Sequence, residues 1–358
     1  MSVWLLIGIF ALTIVLIVFI KNNAVKLSLL DVPNERSVHK KEIARGAGIG
    51  FVLSVFVMLI LFKFSHVMEF WYIYLSIFIV FLAGTVDDVI DISPKVKFGF
   101  IFVAALILLT HNFLINSLGS ILGFTVTFPH WTISYIFTAL AIIGYTNAMN
   151  LVDGLDGLAG SVALVILTTF LMIGYTHNDE FMIVLSSAFM VSLLAFLIFN
   201  WNPASIFMGD SGSLTLGMVI VVLTIYAATH YVNAASVLFI IALPLIDTFI
   251  VMTRRFQRKQ SLFQADKNHL HHFLFSIKGE TKHTVKMFVL MQIIFSIIGY
   301  QVSDKNEFLS LMLFVAFYFL YLNLFDQRIK HRPRQKLSKE KKKEIKERKK
   351  AEKKNSTS

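Results

Sequence analysis

Long apolar runs separated by short polar segments dominate this chain. A helix needs about 20 mostly apolar residues to cross a bilayer core. Runs close to that length recur at 3–20, 46–62, 70–86, 98–115, 132–149, 158–175, 181–199, 212–230, 235–253, 287–302 and 308–325. The pattern predicts an all-α polytopic integral membrane protein with about 11 transmembrane helices. The first run has no basic residue before it and no small-residue cleavage pattern after it, so it reads as a retained helix, not a signal peptide. The spans leave no room between them for a sizeable soluble domain. One loop, 116–131, carries Gly119, Gly123 and the alternation Phe124-Thr125-Val126-Thr127-Phe128, which predicts a small hairpin or a loop. The pattern contains no internal repeat of the kind that marks many secondary transporters.

Composition agrees with this reading. Of 358 residues, 56% are hydrophobic and 15% charged, where a soluble domain is about a quarter charged. Mean hydropathy is +0.71. With no cysteine, a disulfide framework or a thiolate metal site is excluded. The formal net charge of +11 is not spread along the chain. From Arg328 onward there are 15 Lys and Arg against 4 acids, while the rest holds 18 of each sign. The chain therefore divides into a neutral transmembrane body, 1–327, and a basic tail, 328–358. A nucleic-acid partner for the body is disfavoured.

Charge also sets an expected orientation. The loops 21–45, 87–97, 147–157, 200–211 and 254–286 hold 16 basic residues, and the opposite loops hold two, Lys63 and Lys305. By the positive-inside rule the first set is cytoplasmic. The N-terminus is then outside and the C-terminus inside.

Carboxylates near a membrane are costly, so each is a candidate for function. Asp87, Asp88 and Asp91 end the third run, Asp153 and Asp156 follow the fifth, Asp210 follows the seventh, and Asp247 lies near the end of the ninth. All fall on the basic side, as a site for soluble substrates requires. Adjacent Asp87 and Asp88 repel unless a cation or proton lies between them. Hard cations such as Mg²⁺ take oxygen ligands and share them with substrate phosphates. A solvated helix end is the alternative. Asn147-Ala-Met-Asn150-Leu-Val-Asp153-Gly-Leu-Asp156-Gly157 puts two acids three residues apart beside glycines, with no Lys or Arg to neutralise them. Asn200-Trp-Asn202-Pro203 through Met208-Gly209-Asp210-Ser211-Gly212-Ser213 is a third polar loop. There Asp210 is either a ligand or the cap of the next helix.

Two basic segments complete the inventory. His269, His271 and His272 stand beside Lys267 and downstream of Arg254, Arg255, Arg258 and Lys259. The spacing is not that of a zinc hydrolase and suits pyrophosphate binding. His39, Lys40 and Arg45 lead into the glycines at 46 and 48, where cations and a helix start both favour anions. Together these groups suit Mg²⁺-assisted phosphoryl transfer. There is no GxxxxGK[ST] phosphate loop.

The motifs DDVIDISPK at 87–95, NAxNLVDGLDGLA at 147–159, FNWNPAxIFMGDSGS at 199–213, NHLHH at 268–272 and RSVH…RGAG at 36–48 resemble one family. It is the polyprenyl-phosphate N-acetylhexosamine-1-phosphate transferases, the MraY/WecA/TagO group of glycosyltransferase family 4. The resemblance covers about 31–325. It implies transfer of a sugar-1-phosphate, most simply GlcNAc-1-phosphate, from a UDP-N-acetylhexosamine to undecaprenyl phosphate. UMP is released, and the step initiates a cell-surface polysaccharide. It implies Asp210 as a Mg²⁺ ligand, with Mn²⁺ as substitute, and Asp87 as base on the lipid phosphate with Asp88 beside it. Asp153 and Asp156 would lie at the metal and nucleotide site, supported by Asn150 and Asn200. His269, His271 and His272 would contact the donor phosphates, and Lys40 and Arg45 would bind substrate. The implied setting is the bacterial inner membrane, with the site facing the cytoplasm and a homodimer compatible with it.

Departures refine this. Ala44 and Ala47 stand where the family often has Pro and Gly. HLHH replaces the HHH of the enzyme that uses UDP-MurNAc-pentapeptide, which favours a smaller UDP-HexNAc. The RGAG form is similar to O-antigen-initiating members, some of which take modified HexNAc sugars. Two other readings are weaker. A CDP-alcohol phosphatidyltransferase lacks its required Arg and its GxxxDxxxD here. An ion-coupled transporter predicts acids at mid-depth and repeat symmetry.

Overall fold

The computed structural model describes residues 2–31, 42–121, 124–257, 270, 274–275 and 279–330. The chain divides into two compact units, Met1–Phe314 and Val315–Ser358. The described part of the second is helical, 315–330.

In the first unit the helices are α1 (Val3–Asn23), α2 (Ala47–Phe62), α3 (Phe64–Glu69), α4 (Trp71–Ile90) and α5 (Pro94–Thr110). They continue as α6 (Trp131–Val152), α7 (Leu158–His177), α8 (Glu180–Asn200) and α9 (Asp210–His230). After these come α10 (Ala234–Ile240), α11 (Ala242–Gln257), α12 (Thr281–Gln301) and the start of α13 (Glu307–Lys330). Two antiparallel pairs accompany them: β1 (Leu30–Asp31) with β2 (Ile43–Ala44), and β3 (Ser117–Ile121) with β4 (Phe124–Thr127). The second pair is the hairpin expected from the alternation. Glu307 fastens it by accepting Ser120 N–H at 2.5 Å and Ala234 N–H at 2.7 Å.

α9 is the central helix. Its apolar stretch is 83% buried, against 28% for α1, which faces outward along most of its length. α4, α6 and α2 pack against α9. Close approach is possible because the crossing points carry no side chain. A Cβ on Gly84 of α4 would collide with the backbone of Asp210 and Ser211, and one on Gly48 of α2 with that of Gly212.

Seven helices among the described residues are long and apolar enough to cross a membrane, and an eighth span results if α10 and α11 count as one. The expected figure was 11, and the differences are local. The runs at 46–62 and 308–325 become apolar helices of 10–17 residues, Ala47–Phe62 and Glu307–Asn323. The run at 98–115 becomes the 17-residue α5, which begins earlier and includes Lys95 and Lys97. The run at 235–253 is broken, with α10 and α11 meeting at 86°.

The break has a sequence cause. Pro244 has no N–H to return to Ile240, so the ladder cannot continue. Inside an apolar medium the freed groups need partners. Gln292 of α12, fully buried, donates to Ile240 O at 2.7 Å and accepts Leu243 N–H at 3.3 Å. One amide side chain closes both ends of the break.

The Gly84 contact gives a direct test. Gly84→Ala forces a methyl group against backbone that has no rotamer to yield. Overpacking of this kind costs ~1–3 kcal/mol. The expected outcome is a lower melting temperature in detergent, read by intrinsic fluorescence. Gly144→Ala, where no atom lies within 4 Å of the added Cβ, should melt as the parent does.

Candidate active site

The site is built around the first turn of α9. The N–H groups there have no partner within the helix. Gly209 precedes the helix with φ +77°, a conformation that L side chains avoid, and a Cβ there would meet the carboxylate of Asp88. Asp88, on α4 and 2% exposed, supplies the cap from outside. Its oxygens accept Asp210 N–H at 2.8 Å, Ser211 N–H at 3.1 Å and Ser211 Oγ–H at 2.5 Å. That carboxylate is fully engaged in joining α4 to α9.

Its neighbour Asp87 faces a different partner. Lys97, in the first turn of α5, donates to Asp87 Oδ2 at 2.8 Å and to Asp210 Oδ2 at 2.7 Å. One ammonium from α5 therefore bridges an acid of α4 and an acid of α9 in a partly buried setting. Removing one member of such a group leaves an uncompensated charge. Asn150, near the end of α6, donates to Ser213 Oγ in the first turn of α9 at 2.8 Å.

Asp153 caps the C-terminus of α6. Burial pushes its carboxyl up to about 7, and the negative charges of Asp210, Asp88 and Asp156 add to the rise. Asp156 spends its Oδ2 on Asn202 Nδ2 at 2.8 Å and Ala204 N–H at 3.1 Å. Buried Asn200 accepts Gly157 N–H at 2.9 Å and donates to Ile206 O at 2.9 Å. These two side chains staple the 153–157 and 200–206 loops together.

Arg45 reaches Asp91 at 3.2 Å, a pair whose acid is 80% exposed and hence weak. Its own segment is held by main-chain bonds. Phe207 N–H binds Ala44 O, while Ala47 and Gly48 N–H bind the carbonyls of Phe207 and Met208. The glycine-rich start of α2 thus spends its first N–H groups on the 207–208 carbonyls and does not present them to an anion.

The structure brings Asp87, Asp88, Asn150, Asp153, Asp156, Asn200, Asp210 and Arg45 to one end of the bundle. Lys40, His269, His271 and His272 lie outside the described residues. Lys97 was not singled out from the sequence. The signal available was its place in the first helical turn after Pro94, where a cation opposes the helix dipole and needs anionic partners.

The carboxylate-rich set suits a hard cation. The ammonium of Lys97 already occupies such a place between Asp87 and Asp210. Among the described residues no three His, Asp or Glu side chains form a metal cage by themselves.

Comparison with known proteins now decides the family. The sequence model of "Glycosyl transferase family 4" matches residues 70–228. The probable undecaprenyl-phosphate N-acetylglucosaminyl 1-phosphate transferase of Bacillus subtilis (strain 168) is 32% identical over 316 residues, which cover 87% of this chain and 88% of that protein. This chain belongs to glycosyl transferase family 4. Family members named undecaprenyl-phosphate alpha-N-acetylglucosaminyl 1-phosphate transferase match over similar lengths. That of Escherichia coli (strain K12) is 27% identical over 337 residues, covering 88% of this chain and 89% of that protein. That of Salmonella typhi is 28% identical with the same coverage. The family match takes in α4 to α9, and so includes every one of the five carboxylates and Lys97.

Asp153 yields a pH prediction for this family 4 protein. Its carboxyl rises from 3.8 when unfolded to about 7 when folded. Between these values the native state holds a proton that the unfolded chain has lost, so stability falls as pH rises through the window and levels off above about 7. Asp153→Asn removes that ionisation. Melts from pH 5 to 7.5 in chelator-treated detergent buffer should show a smaller decline for the variant than for the parent. Equal slopes would refute the assignment.

Proposed function

We propose that this protein transfers GlcNAc-1-phosphate from UDP-GlcNAc to undecaprenyl phosphate, releasing UMP, as the first step of a cell-surface polysaccharide. The observation that carries this reading is the Asp87–Lys97–Asp210 bridge at the start of α9. It is a cation held between two carboxylates at the end of an apolar bundle, where a lipid phosphate and a soluble nucleotide can meet.

An oxygen of the lipid phosphate attacks the β-phosphorus of UDP-GlcNAc. The bond from that phosphorus to the bridging oxygen breaks, and UMP leaves with the oxygen. The product is a lipid-linked pyrophosphoryl sugar. Asp87 is the acceptor for a proton on the attacking phosphate, since it has no backbone hydrogen bond to hold it otherwise, unlike Asp88. Lys97 orients Asp87 and offsets the negative charge that two phosphorylated substrates bring. Asp210 and the donor pyrophosphate would hold Mg²⁺, which supplies charge neutralisation at the transferring phosphoryl group. Asp153 and Asn150 flank that place. Asp88, Asp156 and Asn200 keep the three loops in register. His269, His271, His272, Lys40 and Arg45 supply the donor and acceptor phosphates with cationic or hydrogen-bonding partners.

The site would face the cytoplasm. The loops that meet there belong to the basic-rich set, 16 Lys and Arg against two on the other side, before the tail is counted. If α2, α5 and α13 also cross, the seven long helices and the bent pair would make 11 crossings, with the N-terminus outside and the C-terminus inside.

The test uses purified protein with Mg²⁺, undecaprenyl phosphate and a panel of UDP-sugars, and detects UMP. UDP-GlcNAc should support release. Asp210→Asn should lower Mg²⁺-dependent release by at least about 100-fold, within the range for lost electrostatic stabilisation. Normal turnover by that variant would overturn the metal assignment. Truncation after Gln327 removes the basic tail and should leave turnover within about twofold in well-inserted protein, because tail charges act on topology and lipid headgroups.

A further inference from the structure

Of the seven carboxylates clustered near the loop ends, five belong to the site and Asp91 pairs with Arg45. The seventh, Asp247, belongs to none of the contacts described above. It sits on α11 beyond the break at Ile241 and is 2% exposed. Its Oδ1 accepts the backbone N–H of Leu270 at 2.7 Å. Leu270 is separated from Asp247 by 23 positions, and its side chain is itself 4% exposed. In the sequence Leu270 stands between His269 and His271-His272. The backbone at this one residue is thus held twice, by a buried apolar side chain and by a bond to a buried carboxylate. Bonds of backbone N–H to a charged acceptor are about twice as strong as neutral ones.

α11 packs against α6, the helix that ends in Asn150, Val152 and the Asp153 cap. A bond from α11 to Leu270 therefore ties the main chain at Leu270 to the same framework that positions Asp153 and Asp210. We infer that Asp247 is a positioning residue for the donor phosphates: it fixes the main chain at Leu270 and so sets the place of the histidine segment relative to the carboxylates. It has no contact with substrate. The inference rests on the proposed transferase reading for its kinetic consequence, but not for its geometry.

A plain helix cap is the competing role. A cap would change stability and would affect both substrates alike. A positioning role acts on the nucleotide side, because the histidines serve the donor. The test compares Asp247→Ala, which removes the acceptor, with Asp247→Asn, which keeps an oxygen at the same place. Hydrogen exchange of the Leu270 amide, followed by mass spectrometry of the segment in detergent-purified protein, reads the bond without any activity. Protection should drop by at least about tenfold in Asp247→Ala and stay near the parent in Asp247→Asn. In the UMP-release assay, KM for UDP-GlcNAc should rise at least about tenfold in Asp247→Ala. KM for undecaprenyl phosphate should stay within about twofold, and Asp247→Asn should recover most of the loss. Unchanged exchange at Leu270 would overturn the inference, as would equal changes in the two KM values. So would an Asp247→Asn variant as impaired as Asp247→Ala. If Asp247→Ala does not yield folded protein, Asp247→Asn decides by the same exchange and KM readings. If the parent protein releases no UMP, the transferase reading fails while the exchange result still stands or falls alone.

Discussion

The carboxylate of Asp88 holds the site together by capping a helix that is not its own. Three donors at the start of α9 converge on it. In a bundle that excludes water, those donors have no other source of satisfaction. The bond fixes α4 against α9 along the glycine contact at Gly84. It also decides where Asp87 and Asp210 stand. One is the residue before Asp88, and the other is the residue whose N–H Asp88 receives. Adjacent acids that look equivalent thereby acquire different tasks, one tied to backbone and one left facing a lysine.

Charge balance is the second constraint. Asp87, Asp88, Asp153, Asp156 and Asp210 gather at one end of the bundle, and the Lys97 ammonium contacts Asp87 and Asp210. Burying that many like charges is unfavourable unless cations or protons join them. The protein answers in three ways. Asp88 and Asp156 spread their charge over backbone and amide donors. Lys97 bridges two others. Asp153 retains a proton up to about pH 7.

The broken span shows how the bundle makes room for irregular backbone. Pro244 ends the ladder, Gln292 from α12 closes the exposed groups, and α11 leaves at a steep angle carrying Asp247. Without a buried amide at that position, a bend inside the apolar layer would leave a carbonyl and an N–H unpaired. The bend directs α11 toward α6 and thereby toward the acidic loops.

Much of this was legible in the sequence. Apolar run length fixed the fold class, because a bilayer sets one length for every helix. The hairpin at 117–127 followed from alternation, and the acids could be found because carboxylates near a membrane are rare and expensive. The motif order also pointed to the family that the relatives then showed. The division of labour was not legible. Asn200 and Asp156 read as polar site residues, yet their hydrogen bonds go to Gly157, Ile206, Asn202 and Ala204. Lys97 read as one more basic residue on the inner side, yet it bridges acids 10 and 113 positions away. The 86° bend was hidden in an unbroken apolar run. The sequence by itself determined which residues are apolar, which are ionisable and how far the chain runs between them. Partner choice was decided only by tertiary structure, since a carboxylate or an amide bonds whatever donor the packing brings within about 3 Å, and packing joins positions that no local pattern connects.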